Sequence, residues 1–182
     1  PDVVARSLKA QKTWLIGVVV ADLSNSFFMQ LVKGIEREVS NYGYSIIICA
    51  HDEDQMKERS IIEMLLSRKV SAIITTTCQT DSSYFTSLRQ IGTPIILVDR
   101  LVDGLDIDVV VEDNEECSER LVDYLIDQGH RKIAVVNGDI SVSTARSRYE
   151  GYLRALVRNG IEVDKRYIID AKRNSSYVKV KQ

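Results

Sequence analysis

The sequence predicts an α/β fold built on a parallel sheet, and three observations predict it. Short, continuously apolar and β-branched runs have the length of strands. Apolar residues at helical spacing fill the segments between them. From Trp14 onward the two patterns alternate along the 182-residue chain, which implies βαβ units with their strands side by side in one direction.

The first strand is Leu15 to Ala21, Leu-Ile-Gly-Val-Val-Val-Ala, apolar on both faces. Asp22 to Ser26 breaks it and offers several helix N-caps. Phe28, Leu31, Ile35 and Val39 follow at helical spacing, and Gly43 closes that helix. Tyr44 to Ala50 is a second strand, and Ile61, Ile62, Leu65 and Leu66 mark a helix over Glu58 to Arg68. Ala72 to Thr76 is a third strand, followed by a helix through Phe85, Leu88 and Ile91. Pro94 precedes a fourth strand, Ile95 to Val98, and Asp108 to Val111 makes a fifth. A helix carrying Leu121, Val122, Leu125 and Ile126 leads to a sixth strand, Ile133 to Val136. Tyr149, Leu153, Leu156 and Val157 mark a last helix. The sheet is Rossmann-like.

Composition narrows the function. Hydrophobic residues make up 45% and charged residues 27%, which suits a soluble globular chain. The net charge of −2 lacks the footprint of an autonomous nucleic-acid binder. Cys49, Cys78 and Cys117 are scattered, without metal-site spacing, and read as buried, reduced thiols. No apolar run reaches the ~18 residues of a membrane span. Pro1 to Lys12 is polar and basic without a signal-peptide core, so a cytoplasmic location is expected.

Catalysis finds no support. A dinucleotide enzyme wants a glycine-rich turn after the first strand, where this chain has Ala21-Asp22-Leu23-Ser24-Asn25-Ser26. No nucleophile elbow or triad spacing occurs, and no cofactor is expected. His51-Asp52-Glu53-Asp54 is contiguous and cannot converge on one ion, so it reads as an acidic loop with a helix cap, and no metal is expected. His130 after Gly129 suits a helix end. A phosphorylatable receiver is excluded because the third strand runs into Thr75-Thr76-Thr77, without an aspartate.

In open parallel sheets, ligands sit beyond the carboxyl ends of the strands. The polar residues of this chain gather there: Asp22 to Ser26, His51 to Asp54, Thr75 to Thr80, Asp99-Arg100, Asp113-Asn114 and Asn137 to Arg148. Such loops are polar in any case and supply helix caps, but several together suit a ligand crevice.

The ordered matches resemble one family. They are Val4-Ala5-Arg6-Ser7-Leu8-Lys9, Ile16 to Phe28, Gly34-Ile35-Glu36, Gly43-Tyr44, Thr93 to Arg100, Asp113-Asn114, Leu125 to Ala134 and Arg148-Tyr149-Glu150-Gly151-Tyr152. Together they resemble the lac repressor/galactose repressor (LacI/GalR) family of transcriptional regulators. The likeness covers residues 1–169, and the closing stretch from Asp170 to Gln182, polar and lysine-rich, departs from it.

The resemblance implies a periplasmic-binding-protein-like (type I) core of two subdomains clamping a small effector. It divides the chain into a hinge remnant over 1–12, an N-terminal subdomain over 13–112 and part of a C-terminal subdomain over 113–182. A helix-turn-helix reading an operator would precede the hinge in the intact protein, and further strands would complete the core. It also implies a homodimer, pairing through the first two helices. In the hinge, Leu8 would wedge into the DNA minor groove while Val4, Arg6 and Lys9 flank it, the basic groups facing phosphates. The effector would be a sugar or nucleobase-like molecule. The alternative is an extracytoplasmic solute-binding protein for sugar transport, against which the hinge-like segment argues.

Ligand contacts implied by the resemblance fall on Asp22, Ser24, Asn25, Phe27 and Phe28, with a phenylalanine ring stacking on the ligand. Asn25 or Ser26 alternatively caps the helix, and Phe28 alternatively belongs to the core. Asp99 suits paired sugar hydroxyls, and Arg100 either faces the ligand or closes an internal salt bridge. Asp113-Asn114 marks the crossover between subdomains, and Asp113 or Asn114 alternatively caps the helix. Arg148 matches the family arginine that hydrogen-bonds the effector, with Thr144 beside it and Arg146 as its competitor.

Overall fold

The computed structural model describes residues 13–170, so Val4, Arg6, Leu8 and Lys9 and the stretch over 171–182 lie outside the described residues. The chain divides into two compact units between Val110 and Val111.

In the first unit the strands are β1 (Leu15–Val20), β2 (Ser45–Ala50), β3 (Ala72–Thr75), β4 (Ile95–Val98) and β5 (Val109–Val110). They form one parallel sheet in the order β2-β1-β3-β4-β5. The helices are α1 (Ser26–Ser40), α2 (Gln55–Ser67) and α3 (Ser82–Arg89). β1 lies inside the sheet between β2 and β3, and its five residues from Ile16 to Val20 are buried, as its unbroken apolar run demands.

Alternation along β1 divides the core between two faces. Ile16, Val18 and Val20 pack with Phe28 and Val32 of α1. Val19 faces the other way, into a cluster with Ile62 and Leu65 of α2 and Phe85 and Leu88 of α3. Gly17 belongs to that second face, where a Cβ would meet Leu65 Cδ1 at 2.6 Å. The helices begin on polar caps: Asn25, Asp54 and Asp81 each accept a hydrogen bond from the first turn of α1, α2 and α3.

The second unit holds α4 (Asn114–Asp127), β6 (Val135–Asn137), α5 (Ser143–Arg158), a 3₁₀ turn over Lys165–Tyr167 and β7 (Ile168–Asp170). β6 and β7 pair in parallel. Val122 and Ile126 of α4 pack with Tyr152, Ala155 and Leu156 of α5 and with Ile133. The two helices approach closely at Gly151, where a Cβ would lie 2.2 Å from the Glu115 carbonyl oxygen. Below that crossing, Arg154 and Arg158 pair with Glu115, Glu119 and Asp123.

Element bounds differ from expectation in detail. The fifth strand is confined to Val109–Val110. The sixth starts at Val135, because its partner β7 begins at Ile168 in register with that residue, and Ile133 is a buried core residue before the strand. β7 itself was not foreseen: three residues are too few for a readable period.

Candidate functional site

In the first unit the carboxyl ends of β1 to β4 present a set of polar loops. After β1, the Asp22 carboxylate accepts from both the backbone N–H and the hydroxyl of Ser24 at 2.7 Å, folding the turn on itself. Asn25 Oδ1 accepts from Phe27 N at 3.0 Å and caps α1. Phe27 is 46% exposed, whereas Phe28 is 6% exposed and packed against β1. The rings meet edge to face at 5.2 Å. Of the two roles open to Phe28 the geometry realises core packing, so Phe27 is the ring available to a ligand.

After β2 the backbone turns sharply. Asp52 and Glu53 hold φ values of 52° and 59°, a left-handed pair without glycine. Buried His51 secures the turn: its Nδ1 accepts from Glu53 N at 3.0 Å, and its Nε2 meets the Thr76 carbonyl at 3.0 Å. The ring is therefore a neutral imidazole protonated on Nε2.

Arg100, after β4, reaches back across the sheet. Its terminal nitrogens donate to both Glu53 oxygens at 2.7 and 2.6 Å, and one also donates to the Thr77 carbonyl at 3.2 Å. Its Nε lies 3.8 Å from Asp99 Oδ2, and Asp99 takes a left-handed φ of 69°. Burial is the main influence lowering the Arg100 pKa and Asp99 opposes it, yet a guanidinium stays charged. Of the two roles open to Arg100, the geometry realises the internal ion pair, with Glu53 and not Asp99 as its close partner.

Beneath this clamp lies a second polar cluster. Glu58 of α2 is fully buried and accepts from the Thr75 hydroxyl at 3.1 Å, from Cys78 N at 2.9 Å and from the Cys78 thiol at 3.2 Å. Donor atoms of His51, Glu58 and Cys78 all lie within 4.8 Å of one another. Their chemistry is nonetheless that of a closed hydrogen-bond network. Both His51 nitrogens are engaged, and burial, helped by the Glu58 charge, raises the Cys78 thiol well above its ordinary value and keeps it protonated.

In the second unit, Asp113 caps α4 by accepting from Glu116 N at 2.8 Å. Arg148 is exposed on α5, and its Nε donates to Asn114 Oδ1 at 2.6 Å. The Asn114 amide is itself held, since its Nδ2 donates to the Glu112 carbonyl at 3.2 Å. Ser118 donates to the Arg148 carbonyl at 2.6 Å, tying the two helices again. Thr144 and Arg146 are half-buried in the first turns of α5. Asn137, at the carboxyl end of β6, is buried, and its Nδ2 has no hydrogen-bond partner among the described residues.

The family signature described as "Periplasmic binding proteins and sugar binding domain of LacI family" matches residues 13–176. The chain belongs to this family. Its LacI-family relatives include the catabolite control protein A of Priestia megaterium, 32% identical over 93% of this chain and 52% of that protein. The Cra transcriptional dual regulator of Pseudomonas putida, solved with fructose 1-phosphate, superposes with a TM-score of 0.79 at 25% identity. That match covers 88% of this chain and 58% of the other. A periplasmic binding protein/LacI regulator of Alkaliphilus metalliredigens, solved with D-xylulofuranose, gives 0.75 at 28% identity over 87% and 56% of the two chains. The chain spans about half the length of the curated relatives it matches.

Within this LacI-family core, sequence reasoning passed over Glu53, Glu58 and Asn114 as a side-chain anchor, and met Asn137 only as the start of a polar loop. Glu53 was visible only as part of an acidic run, and nothing local ties it to Arg100. Asn114 carried a usable signal: a polar residue directly after a helix cap has a side chain to direct elsewhere.

Proposed function

We propose that this chain is the effector-binding core of a LacI-type transcriptional repressor. It is a small-molecule receptor whose ligand state sets the operator affinity of a DNA-reading domain in the intact protein. The observation that carries the reading is Arg148: a guanidinium anchored through Nε to Asn114 at the start of α4, its terminal nitrogens otherwise unengaged among the described residues. Membership of the LacI family supplies the context, and relatives solved with a sugar or a sugar phosphate support a sugar-class effector, with a nucleobase-like ligand as the other class to screen. Regulators among the relatives favour this reading over solute transport.

The contacts proposed for the effector are Asp22, Ser24, Asn25, Phe27 and Asp99 of the first unit, and Asp113, Thr144 and Arg148 of the second. Phe27 contributes an exposed ring face, the carboxylates accept from hydroxyls, and Arg148 donates. No acid–base pair or nucleophile is assigned, because the role is binding. Allostery follows as a population shift, the effector favouring one of two receptor states to the extent that it binds that state better. In the intact protein, Val4, Arg6, Leu8 and Lys9 would form the hinge at the operator, in a cytoplasmic homodimer.

Thermal-shift screening of sugars, sugar phosphates and nucleobases tests this. An effector at a hundred times its Kd adds about 2.7 kcal/mol of stability and raises Tm by several degrees. A screen in which none of these classes shifts the melting curve would count against the receptor reading.

A further inference from the structure

We propose that Asn114 is a positioning residue for the effector site, and that it fixes which face of the Arg148 fork a ligand can use. This rests on Arg148 being an effector contact, as proposed above. An arginine can bind a pair of oxygens in two ways: side-on, through Nε and one terminal nitrogen, or end-on, through the two terminal nitrogens. Here the Nε–H is committed to Asn114 Oδ1 at 2.6 Å. Side-on binding is closed. The end-on pair is open, since those two nitrogens make no other hydrogen bond among the described residues.

The anchor is rigid for identifiable reasons. Asn114 is 9% exposed, and its Nδ2 donates to the Glu112 carbonyl, which fixes the amide orientation with oxygen toward Arg148. Asn114 opens α4, whose Asp113 cap fixes the first turn. Ser118 holds the Arg148 backbone, and the absence of a Cβ at Gly151 lets α5 lie close enough for both contacts. A side chain with four rotatable bonds is thereby delivered in one orientation, which removes much of the ordering cost of ligand capture. The ligand chemistry that fits is two oxygen acceptors side by side, as in a vicinal diol of a sugar or two oxygens of a phosphate ester.

The test follows the Arg148 Nε–H by NMR in the ¹⁵N-arginine-labelled chain, with the signal assigned by its loss in Arg148→Lys. The expected result is exchange with water slowed by about tenfold or more relative to the exposed Arg120. Asn114→Ala should abolish that protection, and Asn114→Asp, which keeps the acceptor, should restore it. Unprotected Nε–H in the unsubstituted chain, or full protection in Asn114→Ala, overturns the positioning role whether or not any ligand is bound. A second arm titrates D-ribose and fructose 1-phosphate. For a probe that binds, Asn114→Ala should weaken Kd by about tenfold, and equal affinity in Asn114→Ala overturns the proposal. Equal affinity in Arg148→Lys overturns instead the assignment of Arg148 as an effector contact.

Discussion

The guanidinium of Arg100 grips both carboxylate oxygens of Glu53, at 2.7 and 2.6 Å, and so joins the ends of β4 and β2. These strands are not neighbours: the sheet order puts β1 and β3 between them. The pair therefore bridges the carboxyl edge of the sheet and helps hold the left-handed turn at Asp52 and Glu53. Glu53→Gln should cost about 2 to 3 kcal/mol in urea unfolding, since it leaves a largely buried guanidinium half-paired. Arg100→Lys should not rescue the fork, because one ammonium cannot bridge two oxygens in the same plane. A loss below about 0.5 kcal/mol in both variants would show the clamp to be dispensable.

Two helical glycines should respond in opposite directions. Gly34 in α1 has open space where a Cβ would go, so Gly34→Ala should stabilise by about 0.5 to 1 kcal/mol by restricting the unfolded chain. Gly151→Ala drives a methyl into the Glu115 carbonyl, a backbone atom that cannot rotate away. It should cost about 1 to 3 kcal/mol. Melting curves of the two variants decide this, and a stabilised Gly151→Ala would contradict the close crossing of α4 and α5.

Tyr84 makes stability fall in alkali. Burial, then the charges of Glu58 and Glu63, push its hydroxyl up to about 12 from 10.0, against the Arg59 guanidinium 4.6 Å from its ring. With the folded value above the unfolded one, the folded chain holds the proton that the unfolded chain loses. Its contribution is full below pH 10.0 and is lost as pH climbs toward about 12. The hydroxyl has no hydrogen-bond partner among the described residues, so Tyr84→Phe should be neutral or mildly stabilising at pH 7 and should flatten the alkaline decline. Unfolding free energies of the two proteins between neutral pH and pH 11 test this, and identical slopes would refute the assignment.

The cysteines should separate by reactivity. Cys117 is exposed on the outer surface of α4, contrary to the buried thiol expected there, whereas burial raises the thiols of Cys49 and Cys78. With a disulfide reagent at pH 8 the native chain should show one fast thiol, lost in Cys117→Ser, and two slower by about tenfold or more. A fast Cys78 would mean that the Glu58 network opens readily.

Legibility followed the range of the forces involved. Period and composition are local, so Leu15 to Ala21 declared a strand buried on both faces, and Phe28, Ile35 and Val39 a helix stripe, although Val32, which the structure buries beside them, was not read as part of it. Caps were local too, and Asn25 and Asp113 stood among the candidates. Partner choice is not local. Arg100 finds Glu53 at a separation of 47 residues and Arg148 finds Asn114 at 34, and no pattern in the sequence carries either pairing. β7 was hidden by its brevity, and a register that starts at Val135 depends on that hidden partner. The sequence thus revealed which loops carry polar side chains, while tertiary packing determined which of them turn inward.

The most direct measurement is calorimetric titration of the unsubstituted chain and of Arg148→Lys with the strongest ligand from the thermal-shift screen. Arg148 stands exposed with only Nε engaged, so its replacement should leave Tm unchanged while weakening Kd by tenfold or more, about 1.4 kcal/mol. Equal affinity in the two proteins would contradict the assignment of this arginine as the effector's principal donor.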